Sequence, residues 1–240
     1  MEVVTDWAVL DTSDGPMRMY MARPQGGTAG PGVLIVQDVF GLTEHVQEVS
    51  RRFAEEGFVA LVPELYHRFA TRKVSYEDVS AARSLRQQLT DDQVMDDLSI
   101  ALRFLGARGE VRSGLVGAVG YGAGGRDAFM LATRNPDVLA LVCYYGSIAP
   151  DNESALIHAS ANLQAPALFF YGETDSIIPA AEVDRVEDML TGLGKDHEIV
   201  TYPDVGHGFA CEARPEGYDP DAAADSWSRA VDFLYERLEG

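Results

Sequence analysis

The sequence predicts an α/β domain: a mostly parallel central sheet with helices on both faces. Three observations carry this. Short apolar runs such as Gly32–Gln37, Phe58–Val62 and Leu139–Tyr145 lack polar alternation, as strands covered on both faces do. These runs alternate with stretches whose apolar residues recur at helical spacing, which is the signature of βα units. The chain of 240 residues is long enough for one large core, so a single domain over residues 1–240 is expected.

Taken in order, Trp7–Asp11 and Met17–Ala22 read as two strands around a Ser13-Asp14-Gly15-Pro16 turn. Pro24–Pro31 is rich in Gly and Pro and reads as a flexible loop. A buried strand follows at Gly32–Gln37, then a helix from Glu44 to Glu56 with Val46, Val49 and Phe53 on one face and Gly57 as its stop. Phe58–Val62 is the next strand, stopped by Pro63. Glu64–Lys73 shows no period and reads as a loop. Two amphipathic helices come next, one carrying Val79, Ala82, Leu85 and Leu89, the other Val94, Leu98, Leu102 and Leu105. Thr90 with Gln93 three positions on predicts a capping box at the start of the second. Residues 64–110 are expected to give a partial cover over a pocket. Beyond a Gly-rich segment, strands at Leu139–Tyr145, Ala167–Tyr171 and Glu198–Tyr202 alternate with helices. The helix after Ala167–Tyr171 runs from Pro179 to Leu190. The last helix opens at Asp219-Pro220, a cap followed by Pro at the first helical position, with Trp227, Ala230, Val231, Leu234 and Leu238 on one stripe.

Composition excludes several function classes. A formal net charge of −19 argues against nucleic acid and anionic membranes as partners, because their phosphates would be repelled. Cys143 and Cys211 make no disulfide framework. The N-terminal residues have no basic segment followed by an apolar run, and no stretch approaches the length of a bilayer span. A cytoplasmic protein acting on a small molecule is the expectation. His45, His67, His158 and His197 are scattered without metal-ligand spacing, so no metal is expected, and no cofactor either.

The segment with the strongest chemical signal is Val116–Gly125. An apolar run climbs to Gly120, a tight turn follows, and Arg126–Ala132 reads as a helix. Gly120, Gly122 and Gly125 match the dinucleotide fingerprint G-x-G-x-x-G. That fingerprint needs a carboxylate at the end of the next strand to hold a ribose. Here Leu139–Tyr145 is followed by Gly146 and Ser147, and the first carboxylate is Asp151. The same segment, Gly120-Tyr121-Gly122-Ala123-Gly124, has the frame of a nucleophile elbow, G-x-S-x-G, with Gly122 at its centre. The elbow reading ranks well above the cofactor reading.

Asp175 follows the strand at Ala167–Tyr171, and His207 follows the strand at Glu198–Tyr202. Alone, each is an ordinary loop residue: a turn Asp, a Gly-flanked His. In the order elbow, Asp, His they take the sequence of an α/β-hydrolase triad, each beyond its own strand. Parallel sheets place their sites beyond such strand ends. His207 and Asp175 are therefore expected to hydrogen-bond each other.

On Val33–Leu42, Glu44–Pro63, Val116–Gly125, Tyr171–Asp175 and Gly206–Phe209 the chain resembles the dienelactone hydrolase family, a branch of the α/β-hydrolase fold. The resemblance covers nearly the whole chain and is weakest over Glu64–Arg103. It implies hydrolysis of lactones and esters by a Cys or Ser at the elbow, assisted by His and Asp. Carried over by position, the acid is Asp175, the base is His207 and the nucleophile position is Gly122. The oxyanion donors are the backbone N–H groups of Ala123 and Val39. Substrate contacts are expected from Asp38, Phe40, Tyr121 and Cys211. Three departures stand out. The nucleophile is absent. Asp38 replaces a family Glu that contacts the thiol. Cys211 replaces an Arg that grips the substrate carboxylate, and for the family's other substrate arginine Arg83 and Arg86 are the nearby candidates.

Gly122 offers no atom to attack a carbonyl, so a covalent route is closed at that position. A His base contributes about 10²–10⁴ in rate. Such a site suits proton transfer beside a carbonyl: cyclisation, isomerisation, elimination, or hydrolysis by an activated water. Two other readings stand beside this one. One is an ordinary lactone or ester hydrolase whose Cys or Ser was replaced by Gly. The other is a non-catalytic binder of small molecules. Cys143 reads as a buried inert thiol, and Cys211, off the elbow, as a pocket residue.

Overall fold

The computed structural model describes residues 1–26, 29–149 and 154–239. Gly27 and Thr28 of the Gly/Pro loop, and Asp151, lie outside the described residues. The strands are β1 (Val3–Thr12), β2 (Gly15–Pro24), β3 (Gly30–Val36), β4 (Val59–Pro63), β5 (Val111–Tyr121), β6 (Ala140–Tyr144), β7 (Ala167–Gly172) and β8 (His197–Tyr202). They form one sheet in the order β1-β2-β4-β3-β5-β6-β7-β8. The β1–β2 hairpin is antiparallel and β2 joins β4 antiparallel; every pairing from β4 to β8 is parallel. Among the described residues the α-helices are α1 (Glu44–Glu55), α2 (Val79–Arg86), α3 (Asp91–Gly106), α4 (Ala123–Arg134), α5 (Ser154–Ala159), α6 (Ala180–Gly192) and α7 (Pro220–Glu239).

Side chains on β5 and β6 show how the two faces are covered. Successive residues of a strand point to opposite faces. A Cβ added at Gly117 would meet Leu234 and Leu238 of α7, whereas one at Gly120 would meet the backbone of α4 at Gly124. On β6, the Cys143 thiol reaches the Gly125 carbonyl of α4 and the Tyr144 hydroxyl donates to the Ser226 carbonyl of α7. So α4 lies on one face and α7 on the other. Helix α1 shares the face of α7, through Phe53 against Trp227 at 4.5 Å. The inner strands are Val-, Leu- and Phe-rich and almost wholly buried, which is the composition a strand covered on both sides requires.

Local signals set the helix starts. Thr90 and Gln93 form the capping box that opens α3. Asp219 accepts from the Ala222 N–H ahead of Pro220 and opens α7. The short helix α5 and the 3-10 turn Ser160–Asn162 were not legible, because six residues carry too little period to register. Strand β5 begins at Val111 rather than Val116, with an irregularity in its pairing to β3 near Gly30. Among the described residues no helix is long and apolar enough to cross a membrane.

Candidate active site

The site lies beyond the carboxyl ends of the central parallel strands. Its floor is the turn from β5 into α4. Gly122 sits there at φ +56°, ψ −121°, a conformation that residues with a Cβ rarely adopt. Its N–H donates to the Tyr144 carbonyl at 2.9 Å, and its own carbonyl accepts from Gly125 at 2.9 Å. The neighbouring glycines serve close packing. A Cβ at Gly120 would strike Gly124, and one at Gly124 would strike the carbonyls of Val36 and Gln37. Gly120 packed against α4, Gly125 packed against Tyr144 and Gly146, and Gly122 at positive φ account for the G-x-G-x-x-G match without any dinucleotide. Above Gly122 there is room. An added Cβ meets only the Asp38 Cβ, at 3.8 Å.

The loop after β7 positions Asp175. Its Oδ1 accepts from the N–H groups of Ile177 and Ile178 at 2.7 and 3.0 Å, and its Oδ2 accepts from His207 Nδ1 at 2.7 Å. Burial pushes this carboxyl up, but the hydrogen bond and charge of His207 and the two backbone donors outweigh it. The Asp175 pKa therefore falls below the ordinary carboxylate value. With Nδ1 committed to Asp175, the imidazole keeps Nε2 as its other polar atom, and His207 lines the cavity. The Tyr145 ring lies 5.1 Å from the imidazole. Tyr145 itself is held at φ +39°, its N–H bonded to the Phe170 carbonyl at 2.7 Å. Backbone strain of this kind is concentrated at functional sites.

The third wall is the loop after β3. Asp38 Oδ1 accepts from the Phe40 N–H at 2.9 Å, folding the loop into a turn. Burial pushes the Asp38 carboxyl up to about 7, against the pull of that N–H and of the Arg214 charge. Cys211 is buried and its thiol is pushed up to about 11 by burial and the Asp38 charge, so it stays protonated near neutrality. Burial likewise pushes Cys143 well above the usual thiol range, beneath the sheet. Neither N–H of Val39 nor that of Ala123 has an acceptor among the described residues.

These walls enclose a cavity of about 250 Å³. Asp38, Val39, Phe40, Gly122, Ala123, His207 and Cys211 all line it, as do Tyr145, Ser147, Ile177 and Ile178. Of residues 64–110, Val79 and Arg83 of α2 contribute lining. The expectation for Tyr121 is corrected. It continues the alternation of β5, falls on the α7 face with Gly117, and stacks on Tyr144 at 4.6 Å instead of facing the cavity. Arg86 also falls away, paired to the buried Asp127 at 2.6 Å. Ser147 lines the cavity with its hydroxyl donated to Glu182 at 2.7 Å.

Two cationic residues of the cavity were missed from sequence. Arg126, in the first turn of α4, makes a two-pronged pair with Asp91 at 3.0 Å on each arm. Arg214, three residues beyond Cys211, reaches the cavity with its guanidinium 5.4 Å from the Phe40 ring centre. Together with Arg83 they give one small cavity three cationic side chains in a protein of net charge −19. Arg126 opens the helix read from the sequence after the Gly-rich segment, so its position was available there; Arg214 needed the folded loop.

The sequence model of the dienelactone hydrolase family matches residues 17–238. The "Putative carboxymethylenebutenolidase" of Methylorubrum extorquens is 36% identical over 236 residues, covering 94% of this chain and 78% of that protein. The "Probable 2-oxo-3-(5-oxofuran-2-ylidene)propanoate lactonase" of a Bradyrhizobium species is 27% identical over 246 residues, covering 99% and 96%. Among solved structures, a "Putative Dienelactone Hydrolase" from Klebsiella pneumoniae superposes with a TM-score of 0.89 at 27% identity, covering 98% of this chain and all of that one.

Proposed function

The chain belongs to the dienelactone hydrolase family, and from that premise we propose that it acts on a small anionic lactone or ester-like carbonyl compound by proton transfer, with no covalent intermediate. The observation that carries this reading is the open space over Gly122, which faces a His207–Asp175 pair joined at 2.7 Å. In this reading Gly122 holds the family's nucleophile position, and a water takes the place of the missing side-chain atom. His207 Nε2 removes a proton from that water as it attacks the carbonyl carbon. Asp175 holds the tautomer and stabilises the imidazolium. A base so placed contributes about 10²–10⁴ in rate. The N–H groups of Ala123 and Val39 receive the developing oxyanion, each worth roughly 3 kcal/mol. The carbon–oxygen bond to the leaving group then breaks. The same parts serve removal of a proton beside the carbonyl, which covers cyclisation, isomerisation and elimination.

Arg83, Arg126 and Arg214 favour a substrate carrying negative charge. The lactone named for the Bradyrhizobium relative is a propanoate and has that character. The cavity volume suits one ring and little more.

The test is a pre-steady-state reaction of the protein with excess dihydrocoumarin, with the intact protein followed by mass spectrometry. The expected result is ring opening without a burst of product and without a mass increase. An acyl adduct on any cavity side chain would overturn the non-covalent reading.

A further inference from the structure

Ring opening needs a proton at the oxygen that leaves the carbonyl carbon, unless that oxygen departs as a stable anion. The attacking water supplies it in net terms: either the His207 imidazolium returns that proton directly, or a second acid donates while His207 stays protonated. On the reading just given, we infer that Asp38, which lines the same cavity as His207, is the general acid that protonates the leaving oxygen.

The geometry supports this on three counts. Asp38 lines the cavity, and its Cβ lies 3.8 Å from where a Cβ on Gly122 would stand, beside the space assigned to the attacking water. Its two oxygens are not equivalent. Oδ1 is fixed by the Phe40 N–H at 2.9 Å, whereas Oδ2 has no hydrogen-bond partner among the described residues. One oxygen therefore anchors the carboxyl and the other is available to a substrate. Arg214 is the side chain whose charge acts on the Asp38 carboxyl, and the Asp38 charge in turn raises the pKa of Tyr66, Tyr76, Tyr145 and Cys211. Against that one cation, burial still pushes the Asp38 carboxyl up to about 7. A substantial share of the protein therefore carries the proton at neutrality, and an acid of that strength is near the optimum for proton donation.

The step balances. Water adds to the carbonyl carbon and loses its proton to His207. The tetrahedral intermediate expels the ring oxygen with the bonding pair, and that oxygen takes the Asp38 proton. Solvent then returns a proton to Asp38 and removes one from His207, so one water and one lactone give one hydroxy acid.

Leaving-group dependence separates this role from a structural one. Departure of p-nitrophenolate needs no proton, whereas the alkoxide of δ-valerolactone does. Asp38→Asn keeps an oxygen for the Phe40 N–H and loses the transferable proton. It is expected to lower kcat/KM on δ-valerolactone by about 10²–10³-fold and to change kcat/KM on p-nitrophenyl acetate only by about threefold. An equal loss on both substrates would make Asp38 a structural residue of the loop, and no loss on either would remove it from the reaction. His207→Ala, run beside it, is expected to lose both substrates. If His207→Ala loses both and Asp38→Asn loses neither, the acid is wrong and the base stands. If His207→Ala loses neither, or if the wild-type protein opens neither compound, the underlying reading fails and takes this inference with it. Should Asp38→Asn not fold, Asp38→Glu, which keeps the carboxyl, must hold the ratio of the two activities near its wild-type value. A collapse of that ratio toward the aryl ester, with activity on it retained, would overturn the proposal.

Discussion

Two His–Asp contacts among the described residues, His207–Asp175 and His67–Asp97, differ in everything except residue type. His207 and Asp175 meet at 2.7 Å through one nitrogen and one oxygen, beside the cavity. His67 and Asp97 meet at 3.2 and 3.3 Å, one nitrogen shared between both oxygens, and neither residue lines the cavity. The imidazole of His207 is 18% exposed and that of His67 is fully buried. The second nitrogen of His67, Nδ1, is buried without a partner. Asp97 is further clamped by Arg68 at 2.9 Å, and Arg68 reaches on to Asp14 of the β1–β2 turn at 3.0 Å. The first pair has its carboxylate held anionic by two backbone N–H groups and an imidazole left open to a substrate. The second has every outward path closed. A His–Asp contact becomes proton-handling machinery only where the far nitrogen meets open space, and elsewhere it ties elements together.

The largest expected effect follows from removing each pair in turn. His207→Ala should lower turnover of dihydrocoumarin by about 10²–10⁴-fold with a smaller fall in thermal midpoint than Asp97→Ala, because Asp175 keeps the N–H groups of Ile177 and Ile178. Asp97→Ala should do the reverse. It leaves Arg68 and His67 without their shared buried carboxylate, at a cost on the order of 3 kcal/mol, the low end for a broken buried pair because Arg68 keeps Asp14. Turnover per folded molecule should stay within about twofold. Denaturant unfolding and steady-state kinetics on the same samples check both. A loss of activity in Asp97→Ala at full stability would erase the distinction.

Only one of these pairs was legible in the sequence. Asp175 and His207 each follow an apolar run that reads as a strand, so chain order alone placed both at one end of a parallel sheet. His67 and Asp97 are joined across 30 residues, one from an aperiodic loop and the other from inside α3, and no local pattern links them. The same division holds around the cavity. Gly122 was found because it sits in the turn that ends a strand, and Val39 and Phe40 were placed through the resemblance to the dienelactone hydrolase family. Arg214 was missed because three successive turns, Gly208 to Cys211, Cys211 to Arg214 and Arg214 to Gly217, coil the loop back toward Phe40. Tyr121 was misplaced although the strand period contains the answer. It shares parity with Gly117, but which face the cavity opens on depends on where α4 and α7 pack, and that is a property of the assembled layers.

A smaller effect tests whether the first pair is poised. Gly122→Ser or Gly122→Cys puts an attacking atom into the free space beside Asp38 Cβ. At φ +56° the new side chain strains the turn, at a cost of about 1–3 kcal/mol in stability. In exchange the variant should release p-nitrophenol from p-nitrophenyl acetate with a burst, one equivalent per site, as acyl-enzyme accumulates. Grafting the same serine into a site whose imidazole is sealed, as His67 is, would give no burst. An inert Gly122→Ser and Gly122→Cys, both folded, would therefore place His207 in the same class as His67 and dissolve the comparison.

The smallest effect is in the acid response, where the two pairs act in separate pH windows. Burial holds the His67 pKa below the ordinary value of 6.5, so the unfolded chain takes up a proton there before the folded one does. Stability from this group is complete above 6.5 and falls as pH drops from 6.5 toward the lowered folded value. Asp175 has its folded pKa below the ordinary 3.8, so its contribution is complete above 3.8 and disappears only as pH falls further, through the folded value. His67→Gln should flatten the thermal-midpoint profile just under pH 6.5 and leave the region below pH 4 as steep as before. Asp175→Asn should do the opposite, narrowing its gap from wild type only below about pH 4. The sealed pair then reports first and the open pair last, because burial penalises a charged imidazole while donated hydrogen bonds favour a charged carboxylate. Profiles in which Asp175→Asn already converges on wild type near pH 6 would mean that its carboxylate is not held anionic, and the asymmetry between the two pairs would lose its electrostatic basis.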